Sequence, residues 1–96
     1  MDLTSGQYNI VTDILNQYIP GSECMAFSSR TTGSAKSYSD LDIVIINDNP
    51  LDFSTLGELQ EAFAESDLPF RVDLLQWSRI NEDFKKTITP QLQKIC

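Results

Sequence analysis

Ser39-Asp40-Leu41-Asp42-Ile43-Val44-Ile45-Ile46, closed by Asn47-Asp48-Asn49-Pro50, is the stretch on which the fold turns. Four consecutive branched apolar residues after Asp42 leave no polar face, so 41–46 reads as a strand covered on both sides, central in a sheet. The turn residues that follow close it. Asp40 and Asp42 are two apart at its start, so both carboxylates project to one face while Leu41 points the other way, into the core. At a rise of about 3.3 Å per residue their Cα atoms lie roughly 6.5–7 Å apart, close enough to converge on one cation or a pair. Two like charges so placed are unfavourable without a counterion. Mg²⁺ suits them, because it takes a few carboxylates together with phosphate oxygens and water.

Upstream, Ile10, Val11, Ile14, Leu15, Tyr18 and Ile19 form one apolar stripe at helical period, predicting a helix over 6–19 that ends at Pro20-Gly21. Residues 23–27 read as a short strand. The polar stretch 28–39 reads as a loop with a short helix beginning near Ser29 or Arg30. Free N–H groups at such a helix start attract anions. Ser28 and Ser29 add hydroxyls, Arg30 a cationic fork, and Lys36 is a weaker candidate for phosphate contact.

Downstream, Thr55-x-x-Glu58 reads as a capping box opening a helix to about Glu65, with Leu56, Leu59 and Phe63 facing the sheet. Leu68-Pro69 breaks it, 70–75 is a third strand, and Ile80, Phe84 and Ile88 at steps of four predict a closing helix that Pro90 interrupts. The order α-β-α-β-α-β-α predicts an α/β (α+β) fold, a small mixed sheet flanked by helices, in one domain spanning 1–96. If the third strand lies beside the second, Asp73 reaches the face of Asp40 and Asp42 and completes a carboxylate triad. Three carboxylates with two Mg²⁺ ions are suited to in-line phosphoryl or nucleotidyl transfer, with Asp73 as general base or as ligand of the nucleophile-activating metal.

Composition narrows the alternatives. The chain has no histidine, which removes Ser-His-Asp and Cys-His catalysis and His-liganded zinc. With 7 basic and 14 acidic residues the net charge is −7, which argues against direct nucleic-acid binding and permits a basic partner. No basic segment followed by an apolar run opens the chain, and the longest apolar run, Ile43 to Ile46, is too short for a bilayer. Cys24 and Cys96 have no metal-ligand spacing, so a cytoplasmic protein with reduced thiols is expected. At 96 residues the core is small, which favours association with itself or with another protein. Trp77 and Phe84 are read as core or partner-contact residues rather than base stackers.

Phe27-Ser28-Ser29-Arg30-Thr31-Thr32-Gly33, Ser39-Asp40-Leu41-Asp42-Ile43 and Val72-Asp73-Leu74-Leu75 together resemble the minimal nucleotidyltransferases of the DNA polymerase β-like superfamily. The family pattern is an apolar residue, Gly-Ser, a spacer of about ten residues, Asp-x-Asp, and a later acidic residue on a strand. The resemblance spans nearly the whole chain. Phrases such as Pro50-Leu51-Asp52-Phe53 and Glu65-Ser66-Asp67-Leu68-Pro69-Phe70-Arg71-Val72-Asp73 are most similar to small bacterial members encoded beside HEPN-domain proteins. In those pairs the HEPN protein is a toxin ribonuclease and the nucleotidyltransferase its antitoxin. The resemblance implies the polymerase β-like fold, ATP as substrate, and transfer of AMP to a tyrosine of the toxin. It implies Asp40, Asp42 and Asp73 as catalytic metal ligands, with Ser28, Ser29 and Arg30 at the nucleotide. One departure stands out: Ser28 occupies the place of the family glycine, adding a Cβ where the backbone approaches phosphate. That departure keeps open a weakened enzyme that neutralises its partner by binding. Transfer to a small hydroxylated molecule, as in antibiotic-modifying relatives that carry extra domains to hold the acceptor, is a separate alternative that a chain of this size disfavours.

Overall fold

A computed structural model describes residues 3–27, 41–47 and 49–95, with the side chain of Phe27 excepted. Helix α1 spans Ser5–Tyr18. The Thr4 side chain accepts from the Gln7 N–H while the Gln7 side chain accepts from the Thr4 N–H, a reciprocal cap that satisfies donors the first turn leaves orphaned. Its apolar stripe is the predicted one: Val11 and Leu15 are buried, and Ile14 and Tyr18 pack against the same cluster. Beyond the helix, Gly21 adopts φ +81°, a left-handed turn that a residue with Cβ resists.

Strand β1, Glu23–Phe27, pairs antiparallel with β2, Leu41–Ile46. Leu41, Ile43, Val44 and Ile45 are all fully buried, as an apolar central strand requires. From β2 the chain crosses over through α2, Phe53–Ala64, to β3, Val72–Gln76, which runs parallel to β2. A 3₁₀ turn at Trp77–Arg79, helix α3 at Glu82–Ile88, a second 3₁₀ turn at Thr89–Gln91 and the two-residue strand β4, Gln93–Lys94, complete the described chain. The sheet order is β3-β2-β1-β4, mixed as expected.

Alternation along the strands sorts the two faces. Leu41, Ile43, Ile45, Cys24 and Ala26 join Val11, Leu15 and Ile19 of the α1 segment and Leu59 and Phe63 of α2 in one core cluster. The other face carries Met25, Asp42, Val44, Asp73 and Leu75; Val44, although fully buried, is outside that cluster. The C-terminal segment is tied in twice: the Ile95 N–H donates to the Cys24 carbonyl at 2.9 Å, and the Tyr8 hydroxyl donates to the Ile95 carbonyl.

Four local expectations change. Thr55 does not cap α2: Asp52 does, accepting from the Thr55 N–H at 3.1 Å, so the helix begins at Phe53, whose side chain is left 89% exposed. An aspartate at that position outcompetes a threonine three residues later because its carboxylate meets the first turn's open donors. The third strand starts at Val72 rather than Phe70, which is buried just before it. The closing helix is broken up: Asn81 caps α3, so of the stripe Ile80, Phe84 and Ile88 only Ile88 becomes fully buried, and Pro90 falls in the following 3₁₀ turn. Strand β4 was not expected, since Gln93 and Lys94 carry no strand signal. The short helix expected near Ser29 or Arg30 lies outside the described residues. No described helix is long and apolar enough to cross a membrane.

Candidate functional site

The leading ends of β2 and β3 bring the site together. In the parallel register Leu41 stands beside Val72, and Asp42 stands directly beside Asp73. Partners in a ladder present their side chains on the same face, on backbones about 4.8 Å apart. Thus two carboxylates separated by thirty residues in sequence project side by side, both half-buried. The Leu41 N–H donates to the Arg71 carbonyl at 2.9 Å, which fixes the register at the point where it matters.

The crossover explains why these two residues meet. β2 is driven inward by its apolar run, α2 lays Leu59 and Phe63 against the same core, and the return through Leu68-Pro69-Phe70 delivers β3 parallel to β2. A one-residue slip would turn Asp73 to the helix-covered face. Such a slip would expose Val72 and Leu74, which pack against the core cluster.

On the other flank, Phe27 is the ladder partner of Asp42. The strand ends from which residues 28–40 depart and to which they return are therefore adjacent, beside the Asp42–Asp73 pair. Asp40, Ser28, Ser29, Arg30 and Lys36, the remaining candidates, lie outside the described residues.

Two hard oxygen donors on one face fit a small divalent cation such as Mg²⁺. Among the described residues no group of three acidic, cysteine or histidine side chains converges; the third candidate ligand, Asp40, is not among them.

At the opposite end of the same two strands is a polar network that the sequence reading passed over. The Gln76 side-chain oxygen accepts from the Leu51 N–H at 2.6 Å and from the Asn47 side-chain amide at 3.3 Å. The Ser78 hydroxyl donates to the Asn47 side-chain oxygen at 3.2 Å. Gln76 is 7% exposed, and its bonds replace the water it loses. Its period on the helix-facing side of an otherwise apolar strand was the available signal.

Comparison with known proteins gives the chain its family. Residues 9–96 match the family model described as polymerase beta, nucleotidyltransferase. The chain is 51% identical over 88 residues to the probable protein adenylyltransferase MntA of Haemophilus influenzae (strain ATCC 51907 / DSM 11121 / KW20 / Rd), covering 92% of this chain and 77% of that protein. A crystal structure of a toxin-antitoxin with AMP-PNP superposes with a TM-score of 0.76 at 24% identity, covering 93% of this chain and 72% of that one. A structure of a tri-AMPylated Shewanella oneidensis HEPN toxin in complex with its MNT antitoxin superposes at 0.68 with 21% identity, covering 93% and 68%. These structures share the fold. With the family match over most of its length and half of its residues identical to a member's, the chain belongs to the polymerase β-like nucleotidyltransferase family.

Proposed function

We propose that this protein is a Mg²⁺-dependent nucleotidyltransferase that moves AMP from ATP onto a tyrosine hydroxyl of a partner HEPN ribonuclease toxin, and so acts as its antitoxin. The observation that carries the reading is the in-register pairing of Asp42 with Asp73 on a family scaffold. The adenylyltransferase name of the Haemophilus influenzae relative and the AMPylated HEPN toxin in a structural neighbour support the choice of donor and partner.

The acceptor oxygen bonds to the α-phosphorus of ATP, the bond from that phosphorus to the bridging oxygen breaks, and pyrophosphate leaves. The acceptor's proton passes to the Asp73 carboxylate, which lies on the outer strand. Asp40, Asp42 and Asp73 would hold Mg²⁺, which when bound makes the acceptor hydroxyl more acidic and offsets charge on the triphosphate. Ser28, Ser29 and Arg30 follow β1 in sequence, next to the ladder partner of Asp42, and would meet the triphosphate. Hydroxyl and guanidinium donors suit phosphate oxygens.

Incubation with ATP, Mg²⁺ and the HEPN partner should add the mass of one or more AMP units to the partner and suppress its ribonuclease activity. An unchanged partner mass with unchanged ribonuclease activity refutes the proposal. Ser28 in the family's glycine position favours a second reading, neutralisation by occlusion alone. Full neutralisation by the Asp42→Asn protein, with no added mass, would select it.

A further inference from the structure

The strand order leaves one of the two site carboxylates at the rim of the sheet. β3 is outermost, and among the described residues no strand pairs with its outer side. Its apolar residues Val72, Leu74 and Leu75 are only half-buried, whereas their ladder neighbours Leu41, Ile43 and Val44 in β2 are fully buried.

The register also tells which backbone groups are spent. The Leu41 N–H donates to the Arg71 carbonyl, and Leu41 is the partner of Val72. In a parallel ladder this turns the peptide groups of Asp73 and Leu75 inward to β2 and those of Val72 and Leu74 outward, because bonding alternates residue by residue. The outer edge thus offers the N–H and carbonyl groups of Val72 and Leu74 in the same stretch whose Asp73 side chain stands in the site.

Beside this edge, between β3 and the end of α2, is a cavity of about 230 Å³ lined by Gln60, Phe63, Leu68, Phe70, Arg71 and Val72, among others. None of its described lining residues belongs to β2. Phe63, Leu68, Phe70 and Val72 give it apolar walls, and Gln60 and Arg71 polar ones.

We infer that the acceptor segment of the partner protein binds as an added strand on the outer edge of β3, with its hydroxyl residue beside Asp73. This rests on the nucleotidyltransferase reading above. An added strand lies about 4.8 Å from β3, and its residue opposite Asp73 shares the Asp73 face. Backbone bonds to Val72 and Leu74 supply sequence-independent affinity, as in other strand-addition complexes. The residue next to the acceptor necessarily points to the opposite face, where the cavity takes an apolar side chain. The occupant is therefore an extended stretch of the partner carrying a hydroxyl residue with an apolar neighbour. The nucleotide arrives from the β1–β2 flank and the acceptor from the β3 flank, with the carboxylates between them.

Hydrogen exchange on the full chain with its HEPN partner tests the inference, read alongside the partner's mass after addition of ATP and Mg²⁺. The expected result is at least tenfold slower exchange of the Val72 and Leu74 amides in the complex. The Asp73 and Leu75 amides, already bonded to β2, change far less. Exchange at Val72 and Leu74 that is unaltered in a complex that does gain AMP overturns the strand-addition mode while leaving the activity intact. Slowing that appears in the protein alone and rises with its own concentration assigns the edge to a second copy, and also overturns it. No mass gain at all strikes the underlying nucleotidyltransferase reading instead. A Val72→Pro chain removes one outward donor at the first residue of an edge strand, where proline is tolerated. Its KM for the partner should rise at least tenfold over that of Val72→Ala, which keeps the donor; equal KM values count against the proposal.

Discussion

Replacing Asp73 by asparagine separates a chemical role from a structural one. The substitution keeps the shape of the side chain and the β2–β3 ladder, whose bonds are made by backbone, but deletes one of two negative charges on adjacent strands. Asp42 and Asp73 are direct ladder partners, so the charges lie on the order of 5 Å apart. At that distance their repulsion is about 0.8 kcal/mol in a water-like dielectric and larger where solvent is excluded. Both side chains are half-buried, and salt screens part of the term. In metal-free buffer the Asp73→Asn protein should therefore be as stable as the wild type or more stable by up to about 1 kcal/mol. For a chain of this size that is a rise in melting temperature of about 0–8 °C. With Mg²⁺ the order should invert. At a free metal concentration of about ten times its Kd, binding stabilises the wild type by roughly 1.4 kcal/mol, and the variant should lose most of that shift. Transfer of AMP to the partner should fall by about 10²–10⁴-fold, the range typical of a lost general base. Thermal melting with and without Mg²⁺, and partner mass against time, read all three quantities. A melting point more than about 4 °C below wild type without metal would show that Asp73 holds the fold. A transfer rate within threefold of wild type would remove Asp73 from the chemistry.

Other consequences are as direct. Leu59 is fully buried in the core cluster, so Leu59→Ala should cost about 2–5 kcal/mol, enough to leave so small a domain largely unfolded near 37 °C in a urea or thermal melt. Gln76→Leu removes the acceptor of the Leu51 N–H and should cost about 1–3 kcal/mol for the orphaned donor, visible as a lower urea midpoint. The Thr55 side chain and backbone N–H donate to the Asp52 carboxylate and hold its pKa below its ordinary 3.8. A lowered folded pKa means that this contribution is complete above the ordinary carboxylate value and fades as pH falls through the lower folded value. Helicity of the wild type should accordingly drop on acidification below about pH 4 more than that of Asp52→Asn, whose capping oxygen does not titrate; equal acid limbs in circular dichroism would contradict the assignment.

The parts of this protein that sequence determined are those written in local pattern. The α1 stripe, the apolar run of β2 and its terminating turn residues, and the α2 stripe of Leu59 and Phe63 are each a periodicity of a few residues, and each appears where it was expected. Asp42 was legible because strand alternation sets it on the face opposite the core-facing Leu41. Asp40, expected on the same face, lies outside the described residues, and the family match came from short motifs in fixed order. Boundaries were less legible where two capping residues compete: Asp52 won over Thr55 because its carboxylate meets the first-turn donors three residues earlier in the chain. Strand β4 was invisible, since Gln93 and Lys94 have no strand preference and pair only because the edge of β1 is there and Ile95 has a core to enter. The Gln76 network needs Leu51 and Asn47, which sequence could not bring near it. Asp73 shows the division most plainly. Its residue type and its place in a strand could be read from the chain, but its position beside Asp42 depends on a parallel crossover through α2 and on register. Register is fixed by which side chains of β3 reach the core, a property of the packed molecule. That no strand among the described residues pairs with the outer side of β3 is likewise tertiary, because nothing in five residues of sequence says on which side a strand has its neighbour.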